Sequence, residues 1–128
     1  MKVLALDYGS ARTGVAVSDP TGTLARPLGI VERAASDEGL KRVAELVRAE
    51  QAERVVVGLP LTLGGEHGAQ ARETERFAAA LGAVLDVPVD RFDERFTTAL
   101  AGAGADDDAR AAAHLLTSYL QWFSSRHR

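Results

Sequence analysis

Two short runs of uninterrupted apolar residues constrain this chain more than anything else in it. Val3–Leu6 (VLAL) and Val55–Leu59 (VVVGL) offer no polar residue to either face of a strand. A strand of that kind has no wet side and must be covered above and below. The second run directly follows a stretch with helical spacing: Leu40, Val43, Ala44, Leu46 and Val47. A β-branched run after a helix reads as a parallel central strand, because parallel neighbours need a crossover of that kind. The chain is therefore an α/β protein with a parallel core.

The other segments fill in around these two. Gly9 and Gly14 bracket a turn, after which Val15, Ala16 and Val17 begin a second strand. Asp19-Pro20-Thr21-Gly22 is a turn, since proline presets one φ and glycine permits another. Thr23–Glu32 alternates loosely around Leu24, Leu28, Ile30 and Val31, and Pro27 inside it points to an outer, antiparallel strand. Ser36 is an N-cap with Asp37 and Glu38 in the first turn of a helix. The Arg54–Pro60 strand leads into a glycine-containing loop, Leu61–Gly68. A second helix places Thr74, Phe77, Ala78, Leu81, Val84 and Leu85 on one face. Val87–Phe92 is a short strand, and an amphipathic helix runs from about Asp106 to Phe123. The order β-β-β-α-β-α-β-α gives a mixed five-stranded sheet, a three-strand antiparallel meander plus parallel strands, with helices on both faces. Residues 1–128 form one domain in this reading.

Composition excludes several chemistries. With no cysteine among 128 residues, there are no disulfides, no thiolate metal sites and no thiol catalysis. No apolar run reaches membrane-spanning length, and the N-terminus lacks a signal-peptide layout, so a cytoplasmic protein with no membrane partner is expected. A net charge of −3 means that nucleic acid, if bound, must be met by a local basic patch or through metal ions.

Carboxylates are where the chain concentrates its chemistry. Sites in open α/β sheets form beyond the carboxyl ends of parallel strands. Asp7 ends the first strand, and Asp93 and Glu94 follow the fifth, so these ends should share one edge of the sheet. Helical phase separates three further acids. Steps of four, seven and eleven from Asp108 reach Ala112, Leu115 and Tyr119, with Leu116 and Trp122 beside them. Asp108 thus looks toward the sheet, whereas Asp106 and Asp107 lead to wetter faces. Two aspartates and an Asp93 or Glu94 carboxylate suit one or two hard cations such as Mg²⁺ or Mn²⁺, which can activate water on a phosphodiester. Each acid also has an ordinary reading: Asp7 as a turn residue, residues 106–108 as an acidic helix start, and 93–95 as a solvated cluster.

LDYGSARTGVAVSD, GLPLTLGG, DERFTT and the late DARAAAHLLTSYL resemble, in this order and over nearly the whole chain, the YqgF/RuvX family. That resemblance implies a ribonuclease H-like fold. Family members carry provisional descriptions as Holliday junction resolvases and as nucleases maturing the end of precursor 16S ribosomal RNA. The family's catalytic carboxylates fall on Asp7, on Glu94 rather than Asp93, and on Asp108. The implied protein is a metal-dependent nuclease of structured nucleic acid, with a DNA junction placed first and precursor rRNA as its rival. A junction cutter making two symmetric incisions would act as a homodimer. The chain departs from the family at Ala11, where a lysine is usual, and in Ala99–Asp107, which is short and acidic where a lysine-rich loop is usual.

Around this centre, Arg12, Arg72, Arg76, Arg95 and Thr97 are the candidate nucleic-acid contacts, with Arg91 beside them. Arg95 has a competing partner in Asp93, and Thr97 and Thr98 have a competing role as turn caps. His67, His114 and His127 share no metal-ligand spacing, and Trp122 and Phe123 read as packing or subunit-contact residues. Two other functions fit fewer residues. LDYGSARTG also resembles the first phosphate loop of the actin/hexokinase superfamily, but 128 residues leave no room for the second domain such proteins close over ATP. A non-catalytic binding module would explain the missing basic loop but not three retained carboxylates.

Overall fold

Alternation along the first strand divides the interior into two cores. A computed structural model describes residues 1–62, 64–96 and 108–126. In strand β1 (Val3–Asp7), Leu4 and Leu6 face one layer and Val3 and Ala5 the other, all four fully buried. Strand β2 (Arg12–Ser18) runs antiparallel to it and β3 (Ala25–Glu32) antiparallel to β2. Strands β4 (Arg54–Leu59) and β5 (Val89–Asp93) are parallel to β1, giving the order β3-β2-β1-β4-β5. The meander, the parallel half and the edge position of Pro27 are as expected, and Pro27 lies beside a register shift between Val15 and Ala16.

Helices α1 (Asp37–Glu50) and α2 (Ala69–Val84) cover one face through Val43, Val47, Phe77, Ala78 and Leu81. Helix α3 (Asp108–Arg126) covers the other, setting Ala112, Leu115, Leu116 and Tyr119 against Val3, Ala5, Ala16, Val56 and Phe92. Ser36 caps α1 by accepting from the Gly39 N–H at 3.0 Å.

Several boundaries differ from expectation. Strand β2 begins at Arg12 rather than Val15, because the ladders to β1 and β3 pair Gly14 with Asp7 and Arg12 with Glu32. The outer strand begins at Ala25 rather than Thr23. Leu24 stays 70% exposed in a turn held by Asp19, which accepts from the N–H groups of Thr23 and Leu24 at 2.8 and 3.0 Å. Ile30, on the edge strand, is 43% exposed, so Val31 carries most of that strand's burial. The fifth strand is Val89–Asp93, not Val87–Phe92, since its register runs on to pair Asp93 with Leu59. Val84, expected on the apolar face of α2, is the last residue of the helix and is 51% exposed. Asp106, Asp107 and the Ala99–Ala105 segment lie outside the described residues.

Candidate active site

The parallel strands bring two acids to one edge, one glycine lets them meet, and a second glycine lets a third acid approach. Asp7 ends β1; Glu94 opens a single 3₁₀ turn, Glu94–Phe96, directly after β5. Between them in the sheet lies Gly58 of β4. A methyl group on Gly58 would stand 2.7 Å from Glu94 Oε1 and 3.0 Å from its Cγ, so the Glu94 side chain folds back across the space a side chain would fill. It thereby reaches Asp7, with which it shares a hydrogen bond.

Gly14, the β2 residue paired with Asp7, does the same for α3. A methyl there would lie 1.8 Å from the Asp108 carbonyl oxygen, so the helix starts directly against the sheet. That approach brings Asp108 within electrostatic reach of Asp7. One Asp108 oxygen, Oδ2, is buried without a hydrogen bond, although Arg12 Nε stands 3.3 Å away as an ion-pair partner. The contact is a Coulombic one, not aligned for donation.

Electrostatics express the crowding. Burial raises the Glu94 carboxyl to about 8, helped by its hydrogen bond to Asp7 and by the charges of Asp7 and Asp93. Asp7 is raised as well, by burial first and by Asp108 last, with the Glu94 hydrogen bond working the other way. A proton is therefore retained between the Glu94 and Asp7 carboxyls above the usual carboxylate range. Asp93, its neighbour, is turned elsewhere. It accepts from Arg95 Nε and Nη2 at 2.9 and 2.5 Å, and that guanidinium holds its carboxyl below the usual range. The geometry thus separates two adjacent acids that spacing alone left equivalent.

The candidate nucleic-acid contacts divide. Arg12 is at the start of β2 rather than in the preceding turn, half exposed beside Asp108. Arg95 is engaged with Asp93, its guanidinium under Gly65 of the 61–68 loop. Arg72 donates to the His67 carbonyl at 3.2 Å, and Arg76 stands exposed near Tyr8. Arg91 is paired with Glu75 at 3.1 Å, and Thr97 lies outside the described residues. Trp122, 38% exposed, packs on Phe92 and Tyr119. Sequence reasoning passed over Tyr8 and Glu73, whose side chains join at 2.8 Å just beyond Asp7. The signal was present: Tyr8 continues the Leu4–Leu6 alternation, and Glu73 sits one turn before the core residue Phe77.

A sheet of this order and direction, with helices on both faces, is a ribonuclease H-like fold. Solved structures share the fold. Thermus thermophilus RuvC in complex with Holliday junction substrate matches with a TM-score of 0.62 at 20% identity, over 97% of this chain and 96% of that one. The fowlpox virus Holliday junction resolvase matches at 0.57 and 12%, over 95% and 99%. The chain belongs to the RuvX family, described as Holliday junction resolvase, whose model matches residues 1–122. Curated relatives carry the provisional name pre-16S rRNA nuclease. One from Chloroflexus aggregans is 46% identical over 99 residues, 77% of this chain and 70% of the relative. Another, from Syntrophomonas wolfei, is 36% identical over 132 residues, 94% of both.

Proposed function

We propose that this chain is a divalent-cation-dependent endonuclease of structured nucleic acid, with Asp7, Glu94 and Asp108 as its acidic centre and Arg12 at its mouth. The observation that carries the reading is the Asp7–Glu94 pair, two carboxyls held on one proton beside the buried, unbonded Asp108 oxygen. Such an arrangement is costly and gains nothing for the fold. Among the described residues no three His, Cys, Asp or Glu are already set to hold a metal ion. The donor set fits one nonetheless: it is all carboxylate oxygen, which suits Mg²⁺ or Mn²⁺, and release of the shared proton would open it. A bound cation would supply an activated water and charge stabilisation at the leaving oxygen.

The chain's own residues do the rest. The Asp7–Glu94 pair gives up its shared proton when positive charge enters. Arg12, half exposed beside Asp108, is placed to meet an incoming phosphate, with Arg72 and Arg76 of α2 as further cations on the flank nearer Tyr8. Two substrates suit this centre. The family description favours a four-way DNA junction, cut by a homodimer so that two incisions fall symmetrically. The relatives' names favour the end of precursor 16S rRNA.

One gel tests both. The protein is incubated with a labelled four-way DNA junction and with a precursor rRNA fragment, in Mg²⁺ and in Mn²⁺, with Asp7→Asn alongside. Cleavage is expected of the wild-type protein and lost in the variant, with substrate binding kept. Normal cleavage by Asp7→Asn would overturn the site. Paired cuts in the junction alone select the resolvase, and cleavage of the RNA alone selects the rRNA nuclease.

A further inference from the structure

A second polar device sits on the opposite side of the same strand end. Successive residues of a strand point to opposite faces, so Asp7 looks to the α3 side and Tyr8 to the α2 side. Beside Tyr8 is a cavity of about 300 Å³ lined by Gly9, Ser10, Ala69, Gln70 and Glu73. Tyr8 is 9% exposed and its ring stacks on Phe77 with centroids 4.5 Å apart. Its hydroxyl is therefore fixed, and it donates to Glu73 Oε2 at 2.8 Å. Glu73 accepts this hydrogen bond through one of its two carboxylate oxygens, and its side chain lines the cavity.

We propose that this cavity is a nucleotide subsite in which Glu73 takes a hydrogen-bond donor, O–H or N–H, from the nucleotide next to the scissile phosphate. The proposal rests on the nuclease reading, since it needs a strand lying across the carboxyl edge with a phosphate at Asp7. An anchored carboxylate repels phosphate, so the part of the nucleotide it admits is sugar or base. Phosphodiester oxygens and deoxyribose within a strand carry no donor. The ribose 2′-hydroxyl does, and so do the bases, through their amino groups and the ring N–H of guanine, uracil and thymine. Ser10 and Gln70 can each donate or accept, so they complete the contact with either source. Tyr8 holds Glu73 in place; it is a positioning residue, and Glu73 sets specificity.

Fluorescence anisotropy on the Asp7→Asn protein reads the subsite without cleavage. The probes are a labelled precursor rRNA fragment and a labelled four-way DNA junction, each with single donor deletions around the cut. Those deletions are 2′-deoxy for ribose, inosine for guanosine, and purine for adenine. One deletion should weaken binding by roughly 10- to 100-fold, as loss of a hydrogen bond to a charged group does. Adding Glu73→Leu, checked for folding by circular dichroism, should erase that difference, and Tyr8→Phe should shrink it. A 2′-deoxy effect names the ribose; an inosine or purine effect names the base. A flat series in the Asp7→Asn protein, or the same loss with and without Glu73, overturns the subsite and leaves the nuclease reading standing. A graded series in the Asp7→Asn protein, with a wild-type protein that cuts neither probe in Mg²⁺ or Mn²⁺, overturns the nuclease reading instead.

Discussion

Glu94→Gln should make the cation-free protein more stable at alkaline pH. In the fold the Glu94 carboxyl keeps its proton to about 8, where the unfolded chain releases it near 4.5. Between those values the native state binds more protons than the unfolded one, so stability falls as pH rises, and the whole cost is present above about 8. At about 1.4 kcal/mol per pH unit the full difference is roughly 5 kcal/mol. Glu94 is only half-buried and shares its proton with Asp7, which reduces the expected cost to about 2 kcal/mol. Glutamine keeps the shape and the hydrogen bond to Asp7 but cannot ionise. Thermal unfolding in chelator should therefore give equal midpoints for the two proteins near pH 4 and a midpoint higher by about 5–10 °C for Glu94→Gln at pH 9. Added Mn²⁺ should raise the wild-type midpoint and move the variant's less, because a ligand that binds the native state stabilises it by mass action. The double variant with Asp7→Asn should gain less than the sum of the two single changes, since either one relieves the same repulsion. A gap independent of pH, or a variant less stable than wild type at pH 9, would refute the shared-proton description and with it the reason for expecting a cation there.

Three further outcomes follow from other parts of the fold. Gly14→Ala places a methyl 1.8 Å from the Asp108 carbonyl, backbone against backbone; a loss of about 3 kcal/mol in urea unfolding is expected, together with loss of cleavage as α3 shifts. Tyr119→Phe removes a hydroxyl that donates to Asp90, itself paired with Arg54 at 2.8 Å; about 1–2 kcal/mol should be lost with cleavage unchanged, because this cluster joins the starts of β4 and β5, away from Asp7. Asp19→Ala should lower the midpoint at neutral pH. The Asp19 carboxyl is held down at about 2, first by the Thr21 hydroxyl, so its contribution is present above about 4, is lost as pH falls toward 2, and the gap to wild type should close over that window.

How far the sequence could be read depended on whether a position answers to periodicity or to a neighbour. The strands of the parallel core were legible because an apolar run such as Val55–Val57 has one stable environment, and Asp108 because its helix has one apolar face. Leu24 and Val84 misled for the same reason in reverse. Each fits an apolar pattern, but one stands in a turn and the other at a helix end, where no second layer reaches them. Asp93 against Glu94 was not decidable from spacing, since adjacent residues after a strand differ only in which way they turn. What decides it is a gap in another strand: Gly58 leaves the room that Glu94 enters, while Arg95 claims Asp93. A glycine inside VVVGL was therefore the informative residue, because a buried strand gives up side-chain packing there only when something else needs the space. The same reasoning extends across β1. Its alternation continues past Leu6, so Asp7 and Tyr8 face opposite layers, the acidic centre lying on one side and the carboxylate bonded by Tyr8 on the other. Mutating either side alone should then separate two properties, the rate of cleavage through Asp7 and the choice of nucleotide through Glu73.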